Sequence, residues 1–430
     1  MYNFNSEVVA DGIRINTISI TKFKTTTIAL YIHNNLDEYA TYNALIPQVL
    51  MSGSSNFKSR TEISEFLEDM YGAVLESDII KKGEIQSALF YLQCISDRYT
   101  QGDRLLFGLI DLLADIILNP LTQNNGFIPE YVNIEKSNLK THILSRINDK
   151  AQYAVDRCLE TVSKGEPFER YKYGEVDVLD NINEYNLYNH YKKIISTSPI
   201  DIFIIGDIKS CEIKSYIKEK FKISGRSPLK LCGLNISNTI NEIKVVNENM
   251  DINQGKLCLG YRTGISFTGG LYPILLIYIS ILGGGLHSKL FQNVREKEGL
   301  AYYAYCGIEK FKSLMIISCG IDAIKYDRAV EIIKKQVDDM NKGNISDYEM
   351  DSSIKKLKND LISINDSASM IIDYFLGGIL YGVEIKTIEM IKQIEKVDKK
   401  QVIKLAQDIK LDTIYFLKPY DKEDLNEKHI

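Results

Sequence analysis

The chain has 430 residues, 45% apolar and 25% charged, the balance of a folded globular protein rather than a disordered or collagenous one, and long enough for two cores. Lys and Arg number 52 against 57 Asp and Glu, a net charge of −5, so the basic excess on which nucleic-acid binding rests is missing. In chain order, β-branched, strand-like segments at 12–21 and 25–33 give way to a helix at 38–51 and, after a Gly-Ser turn, to an amphipathic helix at 59–71 closed by Gly72. Strands at 73–80 and 84–94 follow, then a long helix at 103–118 stopped by Asn119-Pro120, helices at 129–146 and 151–162, and a strand at 201–205.

The second half repeats this order: strand 255–261, apolar helix 271–282, a glycine-rich turn, helix 288–297, strands 301–308 and 313–321, and a long helix 326–341. Setting Thr27 on Gly255 and Ala88 on Met315 keeps the halves in register at an offset of about 228 residues, the mark of an internal duplication. The expected fold is α+β: two homologous domains, each an antiparallel-rich β-sheet with helices packed on one face. Domain bounds are expected at 1–223 and 250–430, with 224–249 as a linker because it is rich in Gly, Ser, Pro and Asn and holds no sustained period.

Seven cysteines without a C-x-x-C pair read as reduced, mostly buried thiols of a cytoplasmic protein. The N-terminal MYNFNSEVVADG lacks a basic segment followed by an apolar one, so no secretory signal is expected. No membrane association is expected either, since Asp111 and Asp115 interrupt the stretch 105–118 and the stretch 272–282 is too short to span a bilayer.

The most specific feature is the segment 282–305, LGGGLHSKLFQNVREKEGLAYYAY. Gly283, Gly284 and Gly285 follow a predicted helix and lack the spacing of a P-loop or a dinucleotide fingerprint, so a nucleotide site is not expected. The order Gly-Gly-Gly, Ser-Lys-Leu-Phe, Val-Arg-Glu, Gly-Leu-Ala-Tyr resembles the C-terminal domain signature of the pitrilysin/insulinase-like metallopeptidases, the family that includes the mitochondrial processing peptidases. Stretches 355–361, 366–367, 375–381, 394–397 and 414–417 fall in that family's order, and Gly53, 67–72 and 118–120 match its N-terminal domain. The likeness covers essentially the whole chain and is to the short two-domain bacterial type.

Active members of that family bind zinc through His-x-x-Glu-His on a helix plus a distal Glu, the inverzincin arrangement. Two imidazoles at i and i+4 share one helix face, and the Glu between them activates the zinc-bound water. The resemblance places these positions, counted back from Gly53, on Ala44, Pro47 and Gln48, none of which can serve. The five histidines, His33, His142, His190, His287 and His429, offer no substitute pair on a helix. Glu135 falls in the place of the distal glutamate but by itself reads as an ordinary surface acid of a helix. With His142 it is the raw material of a rival reading, an active peptidase with an unorthodox metal site.

The resemblance also implies that Arg295 and Tyr302 form the pair that grips substrate near the scissile bond, where guanidinium and phenol can donate to peptide carbonyls and to developing oxyanion charge. Gly283, Gly284 and Gly285 would let their loop approach a peptide closely or move. Strand alternation sets Tyr303 on the face opposite Tyr302, and His287 reads as a polar loop residue. The expectation is a chain with no catalytic residues and no cofactor of its own, the non-catalytic subunit of a heterodimeric zinc endopeptidase. Its partner would be a homologous His-x-x-Glu-His subunit that carries the zinc, and its ligands would be extended peptides. A non-catalytic peptide-binding or scaffold homodimer of the same fold is the alternative.

Overall fold

The computed structural model describes residues 3–420 except 101, 103 and 385; His429 and the expected helix start at 103 lie outside the described residues. The chain opens with β1 (Asn3–Ala10), β2 (Ile13–Ser19) and β3 (Thr25–Asn35), then α1 (Ala40–Leu50), α2 (Arg60–Asp69), β4 (Val74–Lys82), β5 (Ile85–Ile95) and α3 (Leu105–Leu118). A short ribbon, β6 (Thr122–Gln123) and β7 (Gly126–Phe127), precedes α4 (Pro129–Ser145), α5 (Lys150–Val162), α6 (Val176–Leu179), α7 (Glu184–Thr197), β8 (Ile200–Gly206) and α8 (Ser210–Lys220). Next come β9 (Lys244–Met250), β10 (Gly255–Arg262), α9 (Tyr272–Gly283), a π-helix (Leu290–Lys297), β11 (Ala301–Glu309) and β12 (Leu314–Ile321). The last elements are α10 (Tyr326–Asn341), α11 (Asp347–Ser363), α12 (Ala368–Leu380), α13 (Thr387–Ile394), α14 (Lys399–Ala406) and β13 (Lys410–Pro419).

Two compact units result, one running to Ser145 and resuming over Arg170–Cys232, the other made of Arg146–Glu169 and the chain from Gly233 onward. The first unit's sheet has the order β1-β2-β8-β3-β5-β4. All neighbours are antiparallel except β2 and β8, which are parallel. Ile28, Leu30 and Ile32 of β3 enter a core completed by α1, α3 and α7, while the alternate residues Tyr31 and His33 face the other way. On that second face His33 is fully buried, with Nδ1 2.7 Å from Ser87 Oγ and Nε2 3.1 Å from Asp201 Oδ2, and Asn16 Nδ2 donates to Asp201 Oδ1 at 3.0 Å.

The second unit's sheet runs β11-β12-β10-β13-β9, again antiparallel except for its last pair. This is the first sheet's order β4-β5-β3-β8-β2 over again, with the parallel pair in the same place, and the central registers Ile32↔Ala88 and Tyr261↔Met315 correspond. The α+β class and the repeated sheet follow the sequence reading.

Three details depart from it. The second sheet carries helices on both faces rather than one: Ala154, Val155, Cys158 and Val162 of α5 pack on Cys258, Leu314, Ile316, Tyr415 and Leu417, opposite the core formed with α9 and α10. Gly260 permits this approach, since a Cβ there would lie 2.6 Å from Val162. The segment Arg146–Glu169 thus belongs to the second unit, although its place in the chain puts it within 1–223. Finally, the stretch 224–249 is only partly linker, because β9 begins at Lys244 and Arg226, 7% exposed, donates to the Asp11 carbonyl at 2.8 Å.

Candidate functional site

α1 carries Ala44, Pro47 and Gln48, the three positions that the resemblance sets against zinc ligands and a general base. Nine of its eleven residues are buried, and Ala44, 1% exposed, is part of the first core. Pro47 offers neither an N–H nor a side-chain donor, yet the helix continues past it, with Met51 N–H donating to the Pro47 carbonyl at 3.1 Å. Gln48 spends its amide on β4, donating from Nε2 to Ser77 Oγ at 3.1 Å. A methyl group, a pyrrolidine ring and an engaged carboxamide do not fit zinc, which takes imidazole, thiolate or carboxylate donors oriented by further hydrogen bonds. Among the described residues, no group of three His, Cys, Asp or Glu side chains could hold a metal ion.

Glu135 is not the surface acid that the sequence implied. α4 buries Val132, Glu135 and Leu139, positions three and four apart on one face. Glu135, 3% exposed, accepts from Ser52 Oγ at 3.2 Å and pairs with Arg60 Nη2 at 2.8 Å through Oε1, and accepts from Asn138 Nδ2 at 3.0 Å through Oε2. Both oxygens are satisfied, as a buried carboxylate requires. His142 lies two turns along the same exposed-ended helix, about 10 Å away by helical rise, with its ring edge-on to Tyr173. The two residues therefore do not converge on one ion.

Arg295 sits in the last turn of the π-helix, a rare geometry that recurs at functional sites. Its guanidinium lies over the Phe291 ring at 4.8 Å and 3.6 Å from the Glu296 carboxylate, with the side chain 43% exposed. Tyr302 stands on β11, the edge strand of its sheet. The register passes from Ala301↔Ile321 to Tyr303↔Gly320, so Tyr302 is the extra residue of a β-bulge and projects 74% exposed.

The bulge corrects the simple alternation. Ala301, Ala304 and Cys306 face the core, whereas Tyr303 and Tyr305 share the other face with rings 6.1 Å apart, and Tyr302 belongs to neither row. No sequence signal marks such a bulge.

The glycines have structural work. Gly283 is the last residue of α9, and a Cβ on it would lie 2.4 Å from the Cys306 backbone nitrogen; one on Gly284 would lie 2.6 Å from Ser280 Cα. Gly283 sets how closely α9 meets β11 and Gly284 how tightly the chain leaves the end of α9, and of the three only Gly285, whose nearest neighbour would be His287 at 3.5 Å, has the looser surroundings expected of a loop. His287 is half-buried, with Nε2 2.9 Å from Ser353 Oγ; burial first, and then the Lys356 charge, hold its pKa below the usual value.

A duplicated α+β sheet unit whose Ala44, Pro47 and Gln48 offer no zinc donors fits an inactive metalloprotease scaffold. The chain belongs to the peptidase M16, or pitrilysin/insulinase-like, family as an inactive homologue. The model of the peptidase M16 inactive domain matches residues 181–357. The chain is 32% identical over 409 residues to the probable inactive metalloprotease YmfF of Bacillus subtilis, covering 95% of this chain and 96% of that one. It is 20% identical to an uncharacterized zinc protease of Streptomyces coelicolor, over 93% of this chain and 85% of the relative. Among solved structures, a conserved protein from Enterococcus faecalis superposes with a TM-score of 0.89 at 27% identity, covering 97% of this chain and 99% of that one. A peptidase M16 inactive domain from Pseudomonas fluorescens shares the fold at a TM-score of 0.79 and 16% identity, over 97% and 99% of the two chains.

Proposed function

We propose that this chain is the substrate-gripping, non-catalytic half of a two-chain zinc endopeptidase, and that it completes the active site of a His-x-x-Glu-His homologue. The observation that carries the reading is Tyr302, lifted out of the strand alternation by a bulge on an open sheet edge in the same unit as the exposed guanidinium of Arg295. An open edge pairs with an extended peptide through main-chain hydrogen bonds. A phenol and a guanidinium beside that edge can donate to peptide carbonyls and to an oxyanion formed when the partner's zinc-activated water attacks. The partner supplies the metal and the base; this chain supplies orientation and charge stabilisation. Free cysteines throughout the described residues agree with a reducing, cytoplasmic setting. No helix among the described residues is long and apolar enough to cross a membrane.

The test is hydrolysis of a mixed quenched-fluorescent peptide set by the purified chain, alone and titrated with a His-x-x-Glu-His homologue from the same cell. Activity only in the mixture, saturating at one to one and crippled by Arg295→Ala without loss of assembly, is the expected result. Peptide binding without cleavage in any mixture would instead favour the scaffold homodimer, and chelator-sensitive cleavage by the chain alone would refute the reading.

A further inference from the structure

The emptied metal position poses a charge problem that the fold solves in its own way. Glu135 remains, with its side chain only 4% exposed, and a buried carboxylate without a counter-charge is strongly unfavourable. Arg60, the first residue of α2, reaches it with Nη2 at 2.8 Å, and the same nitrogen donates to the Gln48 carbonyl at 3.3 Å. Ser52 Oγ bridges the same two acceptors, at 3.1 Å from the Gln48 carbonyl and 3.2 Å from Glu135 Oε1. One nitrogen therefore ties the main chain of α1 at Gln48 to the Glu135 carboxylate on α4, while the Gln48 side chain turns to Ser77.

We infer that Arg60 is the resident cation of the degenerate site: its guanidinium takes the electrostatic and tethering place that a metal ion would hold between α1 and α4, and excludes the ion. The charges agree, since one carboxylate with neutral Ala44, Pro47 and Gln48 is balanced by a single positive charge. The geometry agrees as well, because a planar guanidinium can serve a carboxylate and a carbonyl together. Half of the Arg60 side chain is open to solvent, so it can be removed without emptying the core. This inference stands apart from the two-chain reading above and needs no partner subunit.

The test uses zinc alone, titrated against a chromophoric chelator, on the full-length chain. Gln48→His and Gln48→His/Arg60→Ala are compared first, and the same comparison is repeated with Ala44→His and Pro47→Glu added. Removal of Arg60 should tighten zinc binding at least tenfold in either background, whereas an unchanged affinity would overturn the inference. A second measurement covers the case in which the added histidines prevent folding. Arg60→Met and Glu135→Gln should each raise the unfolding equilibrium constant more than tenfold, and the double variant should be little worse than the worse single one. Fully multiplicative effects would mean that the two residues do not act as a pair, and would equally overturn it.

Discussion

Lys312 and Glu166 hold each other at 2.6 Å with the lysine side chain 1% exposed. Glu166 also faces Arg262 at 3.3 Å, and Arg262 in turn pairs with Asp412 at 2.8 Å and donates to the Val162 carbonyl at 2.6 Å. This network fastens the end of the Arg146–Glu169 segment to the second unit's sheet. Removing the carboxylate takes away the charge that faces a buried ammonium at 2.6 Å, and breaking such a pair costs about 3 kcal/mol. Glu166→Gln should therefore lower the urea midpoint strongly. Lys312→Met should do less harm, because it replaces the buried charge with an apolar chain and leaves Glu166 to Arg262. Equal stabilities for wild type and Glu166→Gln would show that the network does not hold the segment.

The same segment shows what a single sequence can and cannot reveal. The helix over 151–162 is legible because Ala154, Val155, Cys158 and Val162 recur at helical spacing, but nothing local says which sheet that face will meet. The duplication is legible because strand and helix periods repeat in order, and the want of zinc donors at Ala44, Pro47 and Gln48 because donor chemistry depends on residue type alone. The burial of Glu135 is not legible although Val132 and Leu139 mark a buried face, since a lone acid on that face signals burial only once its cation is known, and Arg60 lies far away in the sequence on another helix. The bulge at Tyr302 and the π-helix are backbone irregularities with no compositional cost, and they appear only when the register is seen.

Gly283 should tolerate no side chain. The added Cβ would meet Cys306 backbone nitrogen at 2.4 Å and its Cβ at 2.6 Å, and neither can swing away as a flexible side chain would. Gly283→Ala should destabilise the chain by about 2–3 kcal/mol through overpacking. Gly285→Ala, which meets nothing nearer than 3.5 Å, should stay within about 0.5 kcal/mol of wild type. Denaturant unfolding of the two variants separates a packing role from a mobile substrate loop: indistinguishable curves would remove the packing explanation.

Tyr302 should behave in the opposite way. A side chain 74% exposed contributes little to stability, so Tyr302→Ala should unfold within about 0.5 kcal/mol of wild type. If the phenol donates to the reacting carbonyl, the mixed complex should lose about a hundredfold in kcat, the scale of a missing oxyanion donor. Tyr302→Phe should lose nearly as much, because only the hydroxyl is absent. Full activity of Tyr302→Phe would assign the residue to packing against substrate rather than to hydrogen bonding.

Stability should fall with acid in two separable windows. His190 stacks on Tyr39 at 4.8 Å, meets Tyr42 edge-on at 5.3 Å, and places Nε2 2.8 Å from Asn43 Oδ1. Asn43 Nδ2 donates to Gln86, so its oxygen is the acceptor and the histidine Nε2 carries the proton. Burial, with the Lys193 charge second, holds the imidazole pKa down to about 4 from 6.5. The unfolded chain therefore takes up a proton near pH 6.5 that the folded chain refuses until about pH 4, and stability declines between these values by something on the order of 2 kcal/mol. His190→Gln should flatten that slope. Asp201 acts lower: burial would raise its pKa, but the hydrogen bond and charge of His33, followed by Arg14 and Asn16, bring it below the usual 3.8. Its contribution is present above that value and is lost as pH falls through the depressed one, so Asp201→Asn should lower stability by a constant amount above pH 3.8 and change the slope only below it. Unfolding curves at half-unit intervals from pH 3 to 8 decide between the two, and a His190→Gln profile that keeps the full slope between pH 4 and 6.5 would exclude this histidine as its source.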